Sequence, residues 1–174
     1  MSIKKVIISA CLLGENCRYD GKTKEVNEIL QKYKDYEIIP FCPEAPLFGT
    51  PRDRISVVKV NNKNRIIVDS TCRDVTKLLE DEIENFIENN LHVDEIILKS
   101  KSPSCGFKTT PILNEKREIL EYGNGIAADI FSKYYKDIQI KDETTANSFP
   151  SSPMGMHTTV RTCKKQKQRY TLPS

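Results

Sequence analysis

No stretch of this chain approaches the roughly 20 consecutive apolar residues that a membrane-spanning helix needs. Hydrophobic residues make up only 38% of its 174 positions. The start, Met1-Ser2-Ile3-Lys4-Lys5, has no long apolar core and no small-residue cleavage site. No secretory leader and no membrane partner are therefore expected, and a cytoplasmic location is. The chain has two histidines, His92 and His157. Both lie away from every motif, and neither is assigned a role. There is no Ser/His/Asp order, no P-loop and no G-x-G-x-x-G turn, the usual signs of triad hydrolases, phosphate-loop enzymes and dinucleotide binders. Charge of one sign is lacking too: 27 Lys and Arg face 24 Asp and Glu, for a net +3. The one dense basic cluster is Lys164-Lys165-Gln166-Lys167-Gln168-Arg169. It has no interleaved aromatics on which bases would stack. It reads as a solvated tail, and nucleic acid is not expected as a partner.

What the chain does have is six cysteines. In a reducing compartment these do not suggest a disulfide framework. Cys72 and Cys163 read as small hydrophobes. The other four lie in or beside polar loops. Val6-Ile7-Ile8-Ser9-Ala10 runs into Cys11, Glu37-Ile38-Ile39-Pro40-Phe41 runs into Cys42, and Glu95-Ile96-Ile97-Leu98-Lys99 leads to the loop that carries Cys105. If these apolar runs are neighbouring parallel strands, all three thiols reach one edge of the sheet. Ligand sites of open α/β sheets lie outside the carboxyl ends of the strands. Three thiolates meeting there suit a metal or cluster with one position left open.

Between these strands the periodicity predicts helices over about 24–34, from Asp74 or Thr76 to Leu91, and over about 126–135. The long helix carries Val75, Leu78, Leu79, Ile83, Phe86, Ile87 and Leu91 on one face. Val57–Val60 and Arg65–Val68 read as a hairpin around a turn at Asn61–Asn64. Ile112-Leu113 and Glu118–Leu120 read as a second hairpin, and 138–140 as a last short strand. Gly14 and Gly21 supply the tight turns of the loop after Cys11. Strands alternating with helices imply an α/β fold. The expectation is a single Rossmann-like domain over 1–142, with a mostly parallel sheet and small hairpin insertions at or near its edge. An irregular tail over 143–174 would follow.

The chemistry collects in four segments. Cys11 and Cys17 are spaced C-x5-C, which matches neither a zinc ribbon nor a ferredoxin run. In Cys42-Pro43-Glu44 a carboxylate stands two residues from a thiol, where it is able to move protons. Ser102-Pro103-Ser104-Cys105-Gly106 is compact and polar, and either serine could orient a substrate or pass a proton. Arg52 and Arg54 suit a planar heterocycle, an anionic group or surface ion pairs. Asn124-Gly125, at a helix start, offers N–H donors to an anion or carbonyl, or simply caps the helix.

Taken together, Ile8-Ser-Ala-Cys-Leu-Leu-Gly-Glu-Asn-Cys-Arg-Tyr-Asp-Gly21, Pro40-Phe-Cys-Pro-Glu44 with Gly49-Thr-Pro-Arg52, Lys101-Ser-Pro-Ser-Cys-Gly106 and Gly123-Asn-Gly-Ile-Ala-Ala128 resemble the DUF523 family, which includes thiouracil desulfidases. The resemblance spans roughly residues 3–140. It implies a [4Fe-4S] cluster held by Cys11, Cys42 and Cys105, with Cys17 a possible extra ligand. It also implies hydrolytic, non-redox removal of sulfur from a small thiolated pyrimidine, with Glu44 as acid/base and Ser102 as a catalytic residue. Ser104, Arg52, Asn124 and Gly125 would contact the substrate. Two other readings stand beside it: a non-catalytic site closed by four cysteines, and an enzyme acting on thiolated transfer RNA. The sequence leaves the oligomeric state open.

Overall fold

The computed structural model describes residues 2–146. The expected tail lies outside the described residues from 147 onward, as do Cys163 and His157. The first sheet is built from β1 (Lys5–Ser9), β2 (Glu37–Phe41), β5 (Glu95–Leu98) and β8 (Gln139–Asp142), in the order β2-β1-β5-β8. Every pairing in it is parallel. β1 is central, and its side chains alternate between two apolar layers. Ile7 faces the layer of the helices α3 (Thr76–Glu88) and α4 (Ile126–Tyr134), while Val6 and Ile8 face that of α1 (Asn27–Lys32). A strand buried on both faces has to be a continuous apolar run, as this one is.

The two expected hairpins form, as β3 (Ile55–Val60) with β4 (Lys63–Val68) and β6 (Thr110–Leu113) with β7 (Ile119–Gly123). They do not extend the first sheet. β3 pairs in parallel with β6, through Val57↔Ile112 and Val58↔Leu113, and the four strands make a second sheet in the order β4-β3-β6-β7. Val57, Ile66, Val68 and Ile112 then share one core with Leu79, Ile83 and Phe131 of the helices. The first turn is also tighter than expected. Asn61 and Asn62 both take left-handed backbone, φ +49° and +61°, so Val60 pairs directly with Lys63 across two residues. Asparagine tolerates that conformation, and the twist of such a turn matches that of the strands.

α1 begins later than its periodicity suggests. The amides of Lys24 and Val26 donate to the carbonyls of Cys11 and Leu12, at 2.9 and 3.0 Å, rather than starting a helix. The same bonds pin the turn that carries Cys11. Leu78 and Leu91, expected on the apolar face, are exposed. Cys72 is half-buried in a turn with φ +57° rather than packed in the core.

Asp74 prepares the start of α3. Its Oδ1 accepts from the Thr76 amide at 2.9 Å and hydroxyl at 2.6 Å, and its Oδ2 accepts from Arg65 Nε at 2.7 Å. Burial alone would raise its pKa, but the Thr76 bonds and the Arg65 cation outweigh that and hold it below the usual carboxylate value. A carboxyl depressed in the folded state contributes stability above its unfolded pKa, near 3.9, and loses it as pH falls through the folded value. Asp74→Asn is therefore expected to flatten the acid limb of the stability curve below about pH 4. Urea midpoints across that range test this, and a slope equal to wild type would remove Asp74 from the account.

Candidate active site

The parallel sheet delivers the thiols as the sequence suggested. β1 and β2 are in register to Ser9↔Phe41. Past that pair, a single 3-10 turn, Ala10–Leu13, carries Cys11, and Cys42 follows Phe41 directly. β5, on the other side of β1, leads into the loop of Cys105. The loop between Gly14 and Gly21, which turn at φ +95° and +71°, returns Cys17 to the same place. The Cys17 carbonyl accepts from Cys42 Sγ at 3.7 Å. All four thiols are free; Cys11, Cys17 and Cys105 are buried and Cys42 is half-buried.

The thiols sense one another. The hydrogen bond with Cys11, then burial and nearby negative charge, push Cys17 up to about 11, against an opposing bond with Cys42. Cys42 is raised by its bond to Cys17 and by burial. Burial, and then the charge of Cys42, push Cys105 up to about 12, although hydrogen bonds with Ser104 and Ser9 act the other way. At neutral pH these groups are protonated, and metal binding to them would release protons.

Beside the thiols runs a buried polar chain. Glu44, just before the short helix α2 (Ala45–Phe48), is 7% exposed. Its Oε1 accepts from Ser104 Oγ at 2.5 Å, and its Oε2 from Arg52 Nε at 3.0 Å. Ser104 Oγ lies 3.1 Å from Ser102 Oγ and 3.6 Å from Cys105 Sγ. Ser102 Oγ in turn accepts the amide of Cys105 at 3.1 Å. A carboxylate, two hydroxyls and a thiol are thus in contact, with Glu44, Ser104 and Cys105 buried and Ser102 half-buried.

The family model for 2-thiouracil desulfurase matches residues 6–143. The chain belongs to this family. It is 28% identical over 111 residues to the uncharacterized protein YbbK of Bacillus subtilis strain 168, a match covering 58% of this chain and 72% of that protein. Among solved structures it resembles the [4Fe-4S]-dependent thiouracil desulfidase TudS (DUF523Vcz), with a TM-score of 0.63 and 28% identity. That likeness covers 80% of this chain and 91% of the other.

Within this desulfurase-family fold, three expected substrate contacts are engaged elsewhere. The guanidinium of Arg52, 5% exposed, is taken up by Glu44 and by the carbonyls of Cys17 and Gly49, at 2.9 and 3.0 Å from Nη1. It holds Glu44 and the Cys17 loop instead of presenting a free fork. The Gly125 amide donates to Gly106 O at 2.7 Å, and the next two amides donate to Pro103 and Ser104 carbonyls. The amino end of α4 is therefore filled by the serine–cysteine loop. Asn124 accepts the Lys108 amide at 2.8 Å and donates to Asp129 at 3.0 Å. Arg54 stacks 5.2 Å over the Tyr19 ring, with Arg18 at 5.7 Å from the same ring. Ser9 was not anticipated: 1% exposed, it accepts the Lys99 amide at 2.9 Å, and it acts to lower the pKa of the Cys105 thiol. Its place at the last position of a buried strand is the only sequence sign. His92 is exposed beside an open hollow, lined also by Lys5, Asp94 and Tyr135, that lies at the opposite, amino-terminal edge of the sheet.

Gly125 is the tightest of these contacts. A Cβ there would stand 2.8–2.9 Å from Pro103 O, Ser104 C and Cys105 N, all backbone atoms. Backbone cannot rotate away as a side chain would. Gly125→Ala is expected to cost about 1–3 kcal/mol by overpacking and to displace the loop of Cys105. Chemical denaturation measures the first effect, and unchanged stability would show that the loop gives way freely.

No group of three or more His, Cys, Asp or Glu side chains among the described residues is placed to hold a single metal ion. An iron–sulfur cluster is wider than one ion and keeps its thiolate ligands farther apart. The donor set suits such a cluster: free cysteines alone, mostly buried, at one sheet edge. No helix of the described residues is long and apolar enough to cross a membrane.

Proposed function

We propose that this chain is a [4Fe-4S]-dependent, non-redox desulfidase acting on a small thiolated pyrimidine such as 2-thiouracil. The supporting observation is the meeting of four free thiols with the buried Glu44–Ser104 pair at the carboxyl edge of a parallel sheet, in a chain of the 2-thiouracil desulfurase family. The reaction replaces C=S by C=O. Water supplies the oxygen, and the sulfur leaves as hydrogen sulfide with both protons of that water, so no electrons are exchanged.

Cys11, Cys42 and Cys105 would hold the cluster, with Cys17 beside them. Bound by three thiolates, a cluster keeps one iron open as a Lewis acid with high affinity for sulfur. Glu44 takes a proton from the attacking water at Oε1, the oxygen bonded to Ser104. Ser104 and Ser102 carry it onward, because their hydroxyls are bonded in succession from Glu44. Arg52 holds Glu44 in place for that transfer. Burial keeps bulk water from competing for the same proton.

The test is iron, zinc and acid-labile sulfide content of protein prepared without oxygen, followed by sulfide release from 2-thiouracil. About four irons with matching sulfide, and turnover, are the expected result. Stoichiometric zinc without labile sulfide would overturn the reading.

A further inference from the structure

The loop that carries Ser102, Ser104 and Cys105 is tied down at its far end by the amino terminus of α4. At its near end the Lys99 amide is held by Ser9 Oγ and the Lys101 amide by Thr109 Oγ1, both at 2.9 Å, and the Ser100 amide between them by a single carboxylate. Leu98 and Asp142 are the last paired residues of β5 and β8, so the chains leave the sheet side by side. Asp142, 3% exposed, accepts the amides of Thr144 and Thr145, both at 2.9 Å, and turns the chain into the short helix α5 (Glu143–Ala146). That turn lays Glu143 against the start of the loop. Glu143 Oε2 accepts the Ser100 amide at 2.7 Å. Its Oε1 accepts the Ser100 hydroxyl at 2.7 Å and Lys99 Nζ at 2.6 Å. Lys99 Nζ also donates to the Ser100 carbonyl at 2.9 Å. Ser100 is 6% exposed and the Glu143 side chain 14%.

We propose that Glu143 is a positioning residue for the site: it clamps the backbone at Ser100 and so sets where Ser102, Ser104 and Cys105 stand relative to Glu44. The argument is one of lever and anchor. Lys101 follows with left-handed backbone, φ +58°, so the chain swings sharply at that point. A small rotation at Ser100 becomes a larger displacement of Ser104, whose 2.5 Å bond to Glu44 tolerates little. A buried amide whose acceptor is lost seeks another, and no other acceptor is bonded to the Ser100 amide. The role assigned to Glu143 in turnover rests on the desulfidase reading; its role in holding the loop does not.

The comparison is Glu143→Gln against Glu95→Gln in the full chain. Glu95 pairs with Lys141 Nζ at 2.9 Å on the same two strands, with similar burial, but lies at the other end of β5. Glutamine keeps the shape of Glu143 yet turns an N–H toward donors. Amide hydrogen exchange over Ser100–Gly106 should rise in Glu143→Gln and stay at wild-type rates in Glu95→Gln, with or without iron. In the iron-loaded protein, kcat for sulfide release from 2-thiouracil should fall about 10- to 100-fold with KM little changed, as misplacement by an ångström or less predicts. Equal exchange and equal kcat in the two variants would overturn the proposal. A wild-type protein that released no sulfide would remove the desulfidase reading, while the exchange contrast would still decide the clamp. If Glu143→Gln did not fold, Glu143→Asp carries the same comparison.

Discussion

Cys42→Ala and Cys105→Ala are each expected to abolish iron and acid-labile sulfide binding, while Cys17→Ala keeps both. A cluster held at three points does not survive on two, and the buried loops offer no replacement donor beyond Cys17. The loss would not be one of folding. Cys105 is 5% exposed and packs as a small hydrophobe. Trading its sulfur for empty space costs about 1 kcal/mol, if the sulfur is counted as one methylene. Cys17 differs because its structural part is played by the main chain. Its carbonyl accepts from Arg52 Nη1 at 2.9 Å and from Cys42 Sγ at 3.7 Å, and an alanine retains that carbonyl. Circular dichroism alongside iron analysis separates folding from ligation. Loss of iron in Cys17→Ala alone would mean a site closed by four thiolates, with no position open to substrate.

The thiols were legible from the sequence because two local signals coincide. A strand buried on both faces is an unbroken apolar run, and the cysteines stand at or soon after its carboxyl end, where the parallel sheet places its ligands. What the sequence did not reveal depends on partners distant along the chain. The pairing of β3 with β6 joins residues more than fifty positions apart, and nothing in Val57-Val58 or Ile112-Leu113 names the other. Arg52 reads as a cation for a heterocycle, an anionic group or a surface ion pair, and only the fold brings Glu44 and the carbonyl of Cys17 to it. Asn124-Gly125 reads as a helix start that either offers donors to a ligand or simply caps the helix, and its donors are taken by carbonyls of a loop some twenty residues away. The helix over 24–34 fails at its start for the same reason. The amides of Lys24 and Val26 satisfy the Cys11 turn, and a backbone donor serves one partner well. In each case residue type is legible locally and its partner is not, because partner choice is made by tertiary packing.

Glu44→Gln is expected to leave the cluster in place and to lower the rate of sulfide release by about 100- to 10,000-fold, the usual share of a positioned acid or base. The substitution is close to isosteric, so the space around Ser104 and α2 is unchanged. What changes is charge and proton capacity. The amide oxygen can accept from Ser104 or from Arg52, as the carboxylate does at 2.5 and 3.0 Å, but not from both, and the remaining –NH2 then faces a donor. A neutral amide cannot take up a proton from water, so the path through Ser104 and Ser102 has no terminus. There is a cost in stability as well. Removing one partner of a buried ion pair costs about 3–5 kcal/mol. Here the lower end applies, because the Arg52 guanidinium, 5% exposed, still has the carbonyls of Cys17 and Gly49. Stability and rate are therefore measured on the same iron-loaded sample, at a temperature where the variant is fully folded. Sulfide release at the wild-type rate would assign the proton transfer to another group. The nearest alternative is the Ser102–Ser104 pair working without a carboxylate, and Ser104→Ala would then carry the loss that Glu44→Gln did not.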